Sequence, residues 1–320
     1  MSIDSIKEQI QTTYRQLIKS RNLTPRYGQR QMIAQITNVL SRDGNPESDS
    51  PVCVIEAGTG TGKTLAYLIS TIPLAKNYGH KVIISTATIA LQEQVVLKDI
   101  PEILSSSEMS FTYAIAKGRR RYICLSKLHM SLSSQDSLMA ITDLHGSNIS
   151  DFLSPENELY ESMLSKFESG IWHGDRDDWE RPISDKVWMP LTADRFQCAG
   201  QKCSYFRDCS FYKARDALDK VDCIVSNHDL VLTDLAMGGG AILPEPEKCF
   251  YIFDEAHHLP VKSNNHFTEF SNIKGTQGWL EGLVKEFSQL QSHDLLTEEE
   301  CIVTSGVLKK LIESFENISP

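Results

Sequence analysis

Residues 56–64 read Glu56-Ala57-Gly58-Thr59-Gly60-Thr61-Gly62-Lys63-Thr64. An apolar, β-prone run over residues 51–55 precedes them, and a helical pattern over residues 65–76 follows. Strand, glycine loop and helix in that order form the context of a phosphate-binding loop. Glycines let the backbone turn its N–H groups onto one phosphate chain, and the helix N-terminus adds partial positive charge behind them. The pattern casts Ala57, Gly58, Thr59, Gly60, Thr61 and Gly62 as the cradle. Lys63 reaches the β- and γ-phosphates and the Thr64 hydroxyl ligates Mg²⁺. Ala57 stands where such loops carry their first glycine, a small departure. The plain alternative is a glycine-rich turn ahead of a lysine; the register of Lys-Thr between strand and helix argues against it.

The 320 residues fit one large domain or two, with 41% hydrophobic and 23% charged residues, an ordinary globular composition. A formal net charge of −10 argues against a chain that coats nucleic acid non-specifically, though not against a local basic patch. No apolar stretch approaches a membrane span, and residues 1–19 lack the features of a signal peptide, so the expected location is cytoplasmic. Eight cysteines in such a compartment favour metal or cluster ligation over disulfides.

Further strands are expected at residues 81–86, 111–116, 221–226 and 249–254, with helices over 1–24, 25–40 and 89–100. Strands alternating with helices predict an α/β fold with a parallel sheet. Residues 117–219 break the alternation and read as an insertion. Beyond His258 only helical periodicity remains, over residues 270–291 and 297–316. Gln29 lies upstream of the glycine loop on the second helix. Its carboxamide suits the N6/N7 edge of adenine, with a plain helix-surface residue as the alternative. The hydroxyls of Ser85-Thr86-Ala87-Thr88 suit either helix capping or a nucleic-acid phosphate.

The apolar run Phe250-Tyr251-Ile252-Phe253 ends in Asp254-Glu255-Ala256-His257. Beside a phosphate loop, Asp254 is the expected Mg²⁺ residue and Glu255 the residue that orients and deprotonates water. An acidic helix start is the alternative. His257 reads either as a coupler to a neighbouring domain or as a solvated loop histidine. Cys124 follows the basic run 117–121, and Cys198, Cys203 and Cys209 follow as C-x4-C-x5-C. Four thiolates suit a [4Fe–4S] cluster or zinc; a single short gap and one distant ligand favour the cluster. The basic run reads as a solvated face or a DNA-backbone contact. The aromatics Tyr122, Tyr205, Phe206, Phe211 and Tyr212 either shield the ligands or stack bases. Cys53, Cys223, Cys249 and Cys301 read as buried structural cysteines.

Arg26-Tyr27-Gly28-Gln29, the glycine loop, the four cysteines between strands and Asp254-Glu255-Ala256-His257 together resemble the XPD-like iron–sulfur superfamily 2 DNA helicases. The resemblance covers nearly the whole chain. It implies a RecA-like motor domain in two parts (1–116 and 220–260), an iron–sulfur insertion (117–219) and the start of a helical arch (261–320). It implies ATP and Mg²⁺ at Gln29, Ala57–Thr64 and Asp254, and Lys63, Asp254 and Glu255 as catalytic residues. A [4Fe–4S] cluster would sit on Cys124, Cys198, Cys203 and Cys209. Its activity would be 5′→3′ translocation on single-stranded DNA, unwinding duplexes, branched DNA or R-loops, with a place in DNA repair. Such helicases carry a second motor domain and a further strand after the arch that this sequence does not contain. The expectation for these 320 residues is therefore weak ATP hydrolysis and no unwinding. The alternative reading is a truncated ATP- and DNA-binding module, with a separate chain supplying the second motor domain.

Overall fold

A parallel sheet buries both faces of its strands, and four apolar stretches supply them. The computed structural model describes residues 2–41, 51–58, 60–133, 155–268, 273–292 and 298–317. Its strands are β1 (Lys81–Thr86), β2 (Tyr113–Ile115), β3 (Cys223–Asn227) and β4 (Cys249–Phe253). They form one sheet in the order β2-β3-β1-β4, every adjacent pair parallel, with Ile83 opposite both Ile224 and Tyr251. Val82, Ile84, Cys223 and Val225 bury one face, while Ile83 and Ile224 bury the other. That is the period of two that a pleated strand imposes.

Three helices cover the first face. In α1 (Ile3–Ser20), Ile6, Ile10, Tyr14 and Leu17 are buried, and the Ser2 hydroxyl caps the start by accepting from the Ser5 N–H at 3.2 Å. Met32, Ile33 and Ile36 are the buried stripe of α2 (Tyr27–Leu40). The third helix, α3 (Lys63–Tyr78), is buried along its length from Ala66 to Ala75 and ends on Gly79 at φ 71°. Fully burying one side chain such as Leu68 or Ile69 is worth about 2 kcal/mol. With its N-terminus at Lys63, α3 aims its amides at whatever the glycine loop holds. Thr88 caps α4 (Ile89–Gln94), whose chain passes through a π turn at Val95–Asp99 into α5 (Ile100–Ser106). Pro101 lacks the N–H that a regular turn would require there.

Between β2 and β3 the chain builds a lobe with its own core of Ile123, Leu128, Met163, Trp172, Trp188 and Leu191. Met1–His266 forms one compact unit and Phe267–Pro320 another. The second consists of helices Ile273–Ser292 and Glu298–Glu316, in which Leu280 and Leu308 are buried.

The strand expected at residues 51–55 does not form. Cys53 and Ile55 pack on the core while Val52 and Val54 are 80% and 93% exposed, so the alternation of a strand is present without a ladder. A strand exists through its hydrogen-bonded neighbour. Among the described residues nothing pairs with this segment, and β4 pairs only with β1. Cys53 therefore sits half-buried in extended chain; Cys223 and Cys249 are buried as expected. The polar loop at 43–50, Thr59 and the side chain of Cys301 lie outside the described residues.

Candidate nucleotide site and cysteine cavity

Gly60 and Gly62 adopt φ 76° and 83°, the left-handed region that lets the loop turn back over α3. At Gly62 the constraint is double: a Cβ there would lie 2.3 Å from the Gln29 Nε2. Gln29 donates from that nitrogen to the Gly62 carbonyl at 3.1 Å and is only 5% exposed. The surface-residue alternative for Gln29 is thereby overturned. Its carboxamide braces the loop from behind, something sequence reading missed.

Lys63 and Glu255 lie 192 positions apart in the chain, yet Lys63 Nζ donates to Glu255 Oε1 at 2.6 Å. That bond, with the ionic attraction, holds the Glu255 carboxyl below its ordinary range. Asp254 closes β4, its N–H donating to the Ser85 carbonyl at 2.8 Å. Burial pushes its carboxyl up, with Lys63 partly opposing and Glu255 reinforcing the shift. Tyr67 donates to Asp254 Oδ2 at 3.3 Å, and its own hydroxyl is pushed up by burial and by the Asp254 charge. Thr64 stands one turn before Tyr67 on the same face of α3. A half-buried carboxylate beside a threonine hydroxyl is a donor set that suits a hard cation such as Mg²⁺. Glu255 itself sits at φ 53°, ψ 44°, a left-handed conformation uncommon for a residue with a Cβ. His257 is 67% exposed and lies 3.3 Å from Glu255 Oε2, so it belongs to the rim of this group.

The Ser85–Thr88 hydroxyls are spent inside the protein. Thr88 caps α4, Thr86 donates to the Thr88 and Ser226 carbonyls, and Ser85 Oγ lies 2.6 Å from Nδ1 of the wholly buried His228. Sequence reading gave His228 no role of its own; its signal was a histidine directly after an apolar strand at a helix start.

Cys124, Cys198, Cys203 and Cys209 line one cavity of about 40 Å³ with Tyr205, Phe206, Phe211 and Tyr212. Arg119 donates to the Cys198 Sγ at 2.9 Å and lies 3.9 Å over the Phe211 ring. The Gly200 N–H also approaches Cys198 Sγ at 3.4 Å. Burial pushes the Cys209 thiol up. Among the described residues no group of three or more Cys, His, Asp or Glu is gathered closely enough to hold a metal ion. The structure thus brings the four thiols to one cavity without drawing them into a closed ligand shell.

The basic run is not a free phosphate patch. Lys117 pairs with Asp175 at 2.5 Å and Asp177 at 2.9 Å, Arg121 pairs with Asp177, and Arg119 is committed to Cys198. Arg120 alone of the run is largely exposed (59%), 3.5 Å from Asp194. These charges pin the lobe together.

Residues 26–151 match the DEAD/DEAH box helicase family. ATP-dependent DNA helicase DinG of Photobacterium profundum is 39% identical over 286 residues, 89% of this chain and 40% of that protein. DinG of Salmonella typhimurium is 33% identical over 294 residues, 89% of this chain and 39% of that protein. DinG of Escherichia coli K12 is 34% identical over 264 residues, 80% of this chain and 35% of that protein. The chain is a DinG homologue. It spans about two-fifths of the length of the DinG relatives it matches, and their shared N-terminal portion carries the RecA-like α/β helicase domain. Among the described residues no helix is long and apolar enough to cross a membrane.

Proposed function

We propose that this chain is the ATP-binding part of a DinG-type 5′→3′ DNA helicase that translocates on single-stranded DNA and opens duplexes, branched DNA or R-loops. The observation that carries the reading is the Lys63–Glu255 ion pair. It joins the glycine loop to the acidic end of β4 at the head of α3, where phosphate, cation and attacking water would meet. Lys63 exchanges Glu255 for the β- and γ-phosphates, and the freed Glu255 orients and deprotonates water. Thr64 and Asp254 would hold Mg²⁺, which would neutralise charge developing on the phosphates. Gln29 keeps the loop in its binding shape and adjoins the adenine side.

Residues 1–116 and 220–260 form the motor domain on this reading, 117–219 the cluster insertion and 261–320 the start of the arch. Cys124, Cys198, Cys203 and Cys209 would hold a [4Fe–4S] cluster, which would supply a rigid cross-link between distant parts of the lobe. Support comes from the shared cavity and from two N–H groups aimed at Cys198 Sγ. Single-stranded-DNA-stimulated ATPase that disappears in Lys63→Ala tests the motor. Broad visible absorbance that disappears in Cys203→Ser tests the cluster; a colourless zinc protein refutes it.

One observation favours the alternative of a non-unwinding ATP- and DNA-binding module for these residues. The segment leading into the glycine loop lacks a sheet partner among the described residues. Nucleotide binding without DNA-stimulated hydrolysis selects that alternative. Strand separation by the 320-residue chain refutes it.

A further inference from the structure

We propose that His228 is a positioning residue that sets Asp254 and Glu255 from behind the sheet; the inference rests on the nucleotide-site reading above. The imidazole is wholly buried, at the first position of helix His228–Ala236, directly after β3. A fully buried imidazole costs free energy unless both nitrogens are used. Nδ1 is used, 2.6 Å from Ser85 Oγ. Nε2 has no hydrogen-bond partner among the described residues. Ser85 is also where Asp254 is fastened, through the Asp254 N–H to the Ser85 carbonyl at 2.8 Å. One residue of β1 therefore grips both the imidazole and the residue that closes β4.

The next residue, Glu255, needs such a grip. Its left-handed backbone has no glycine to relieve it, and a non-glycine residue holds that conformation only where its surroundings impose it. A second tie comes from Asp229, the neighbour of His228, which pairs with Lys262 at 2.6 Å and so fixes the chain leaving the acidic turn. His228 touches neither nucleotide nor cation. It acts by holding the Asp254 carboxylate over the loop and Glu255 within reach of Lys63.

The test compares the affinity of the 320-residue chain for a fluorescent ATP analogue with Mg²⁺ and with EDTA. His228→Gln and Ser85→Ala are each expected to lower the Mg²⁺-dependent tightening by about fivefold, leaving the EDTA affinity within about twofold of wild type, since only the carboxylate end of the site has moved. The double variant should lose little more than either single one, because the two residues form one link. A merely structural role would lower the melting temperature and weaken both affinities together, overturning the proposal. If His228→Gln fails to fold, Ser85→Ala decides alone. Wild-type tightening retained in a folded variant overturns this inference while leaving the nucleotide reading intact. A wild-type chain that binds no nucleotide overturns both.

Discussion

Glu255→Gln separates two roles that the structure places in one side chain. At 2.6 Å the Lys63–Glu255 pair has a Coulomb attraction of about 6 kcal/mol for an effective dielectric of about 20. Both side chains keep water, with 23% and 29% exposure, and both were desolvated to meet. The net worth is therefore nearer ~1 kcal/mol, the range of partly exposed pairs. ATP entry must break this pair, so removing the charge returns that energy to binding. Glu255→Gln should thus bind ATP about fivefold more tightly, while single-turnover hydrolysis falls by about 10²-fold or more for want of a base. Fluorescent-nucleotide titration and phosphate release measure the two. Glu255→Gly removes the same charge and also relieves the left-handed backbone, so its folded state should exceed that of Glu255→Gln by about 1 kcal/mol in urea unfolding. Unchanged or weaker ATP binding in Glu255→Gln would show that Lys63 is not held back by Glu255 and would refute the exchange.

Other outcomes follow from the same contacts. Gly62→Ala should cost about 1–2 kcal/mol in urea unfolding, from the φ of 83° and the clash with Gln29, and should abolish nucleotide binding; Gln29→Ala in the same chain removes the clash and recovers part of the stability. The Glu255 carboxyl is held below its ordinary 4.5, so its stabilisation is present above that pH and lost as pH falls through the lower folded value. The urea-midpoint gap between wild type and Glu255→Gln should accordingly be full well above pH 4.5 and close as the pH falls below it. Asp254 has the opposite sign: its carboxyl is raised above 3.8, so its ionisation opposes folding as pH rises past that value. Asp254→Asn should then raise the melting temperature of the nucleotide-free chain at about pH 7, a gain that vanishes in acid. Arg119→Ala should leave the sheet folded but make any cluster absorbance bleach several-fold faster in air, since the Cys198 sulfur loses its guanidinium donor.

The α/β class and the positions of β1, β3 and β4 were legible because buried parallel strands are short apolar runs. The glycine loop was legible because backbone chemistry restricts which residues can occupy it. Residues 51–55 show the limit: their alternation is that of a strand, but pairing is a property of two segments, and among the described residues they meet no second one. The pairing of the run at 117–121 was hidden for a related reason. Its counter-charges, Asp175 and Asp177, lie more than fifty positions away and only folding brings them alongside. His228 escaped because a lone histidine carries no pattern; its meaning comes from Ser85 on β1 and Asp254 at the end of β4.

The outer edge of β4 has a practical consequence. Cys249–Phe253 is an apolar strand whose outward N–H and C=O groups meet no neighbouring strand among the described residues. Natural sheets blunt such edges with charges, bulges or proline, and no charge or proline falls within this one. Concentrated solutions of the chain should therefore self-associate edge to edge, which a concentration series in sedimentation velocity would reveal.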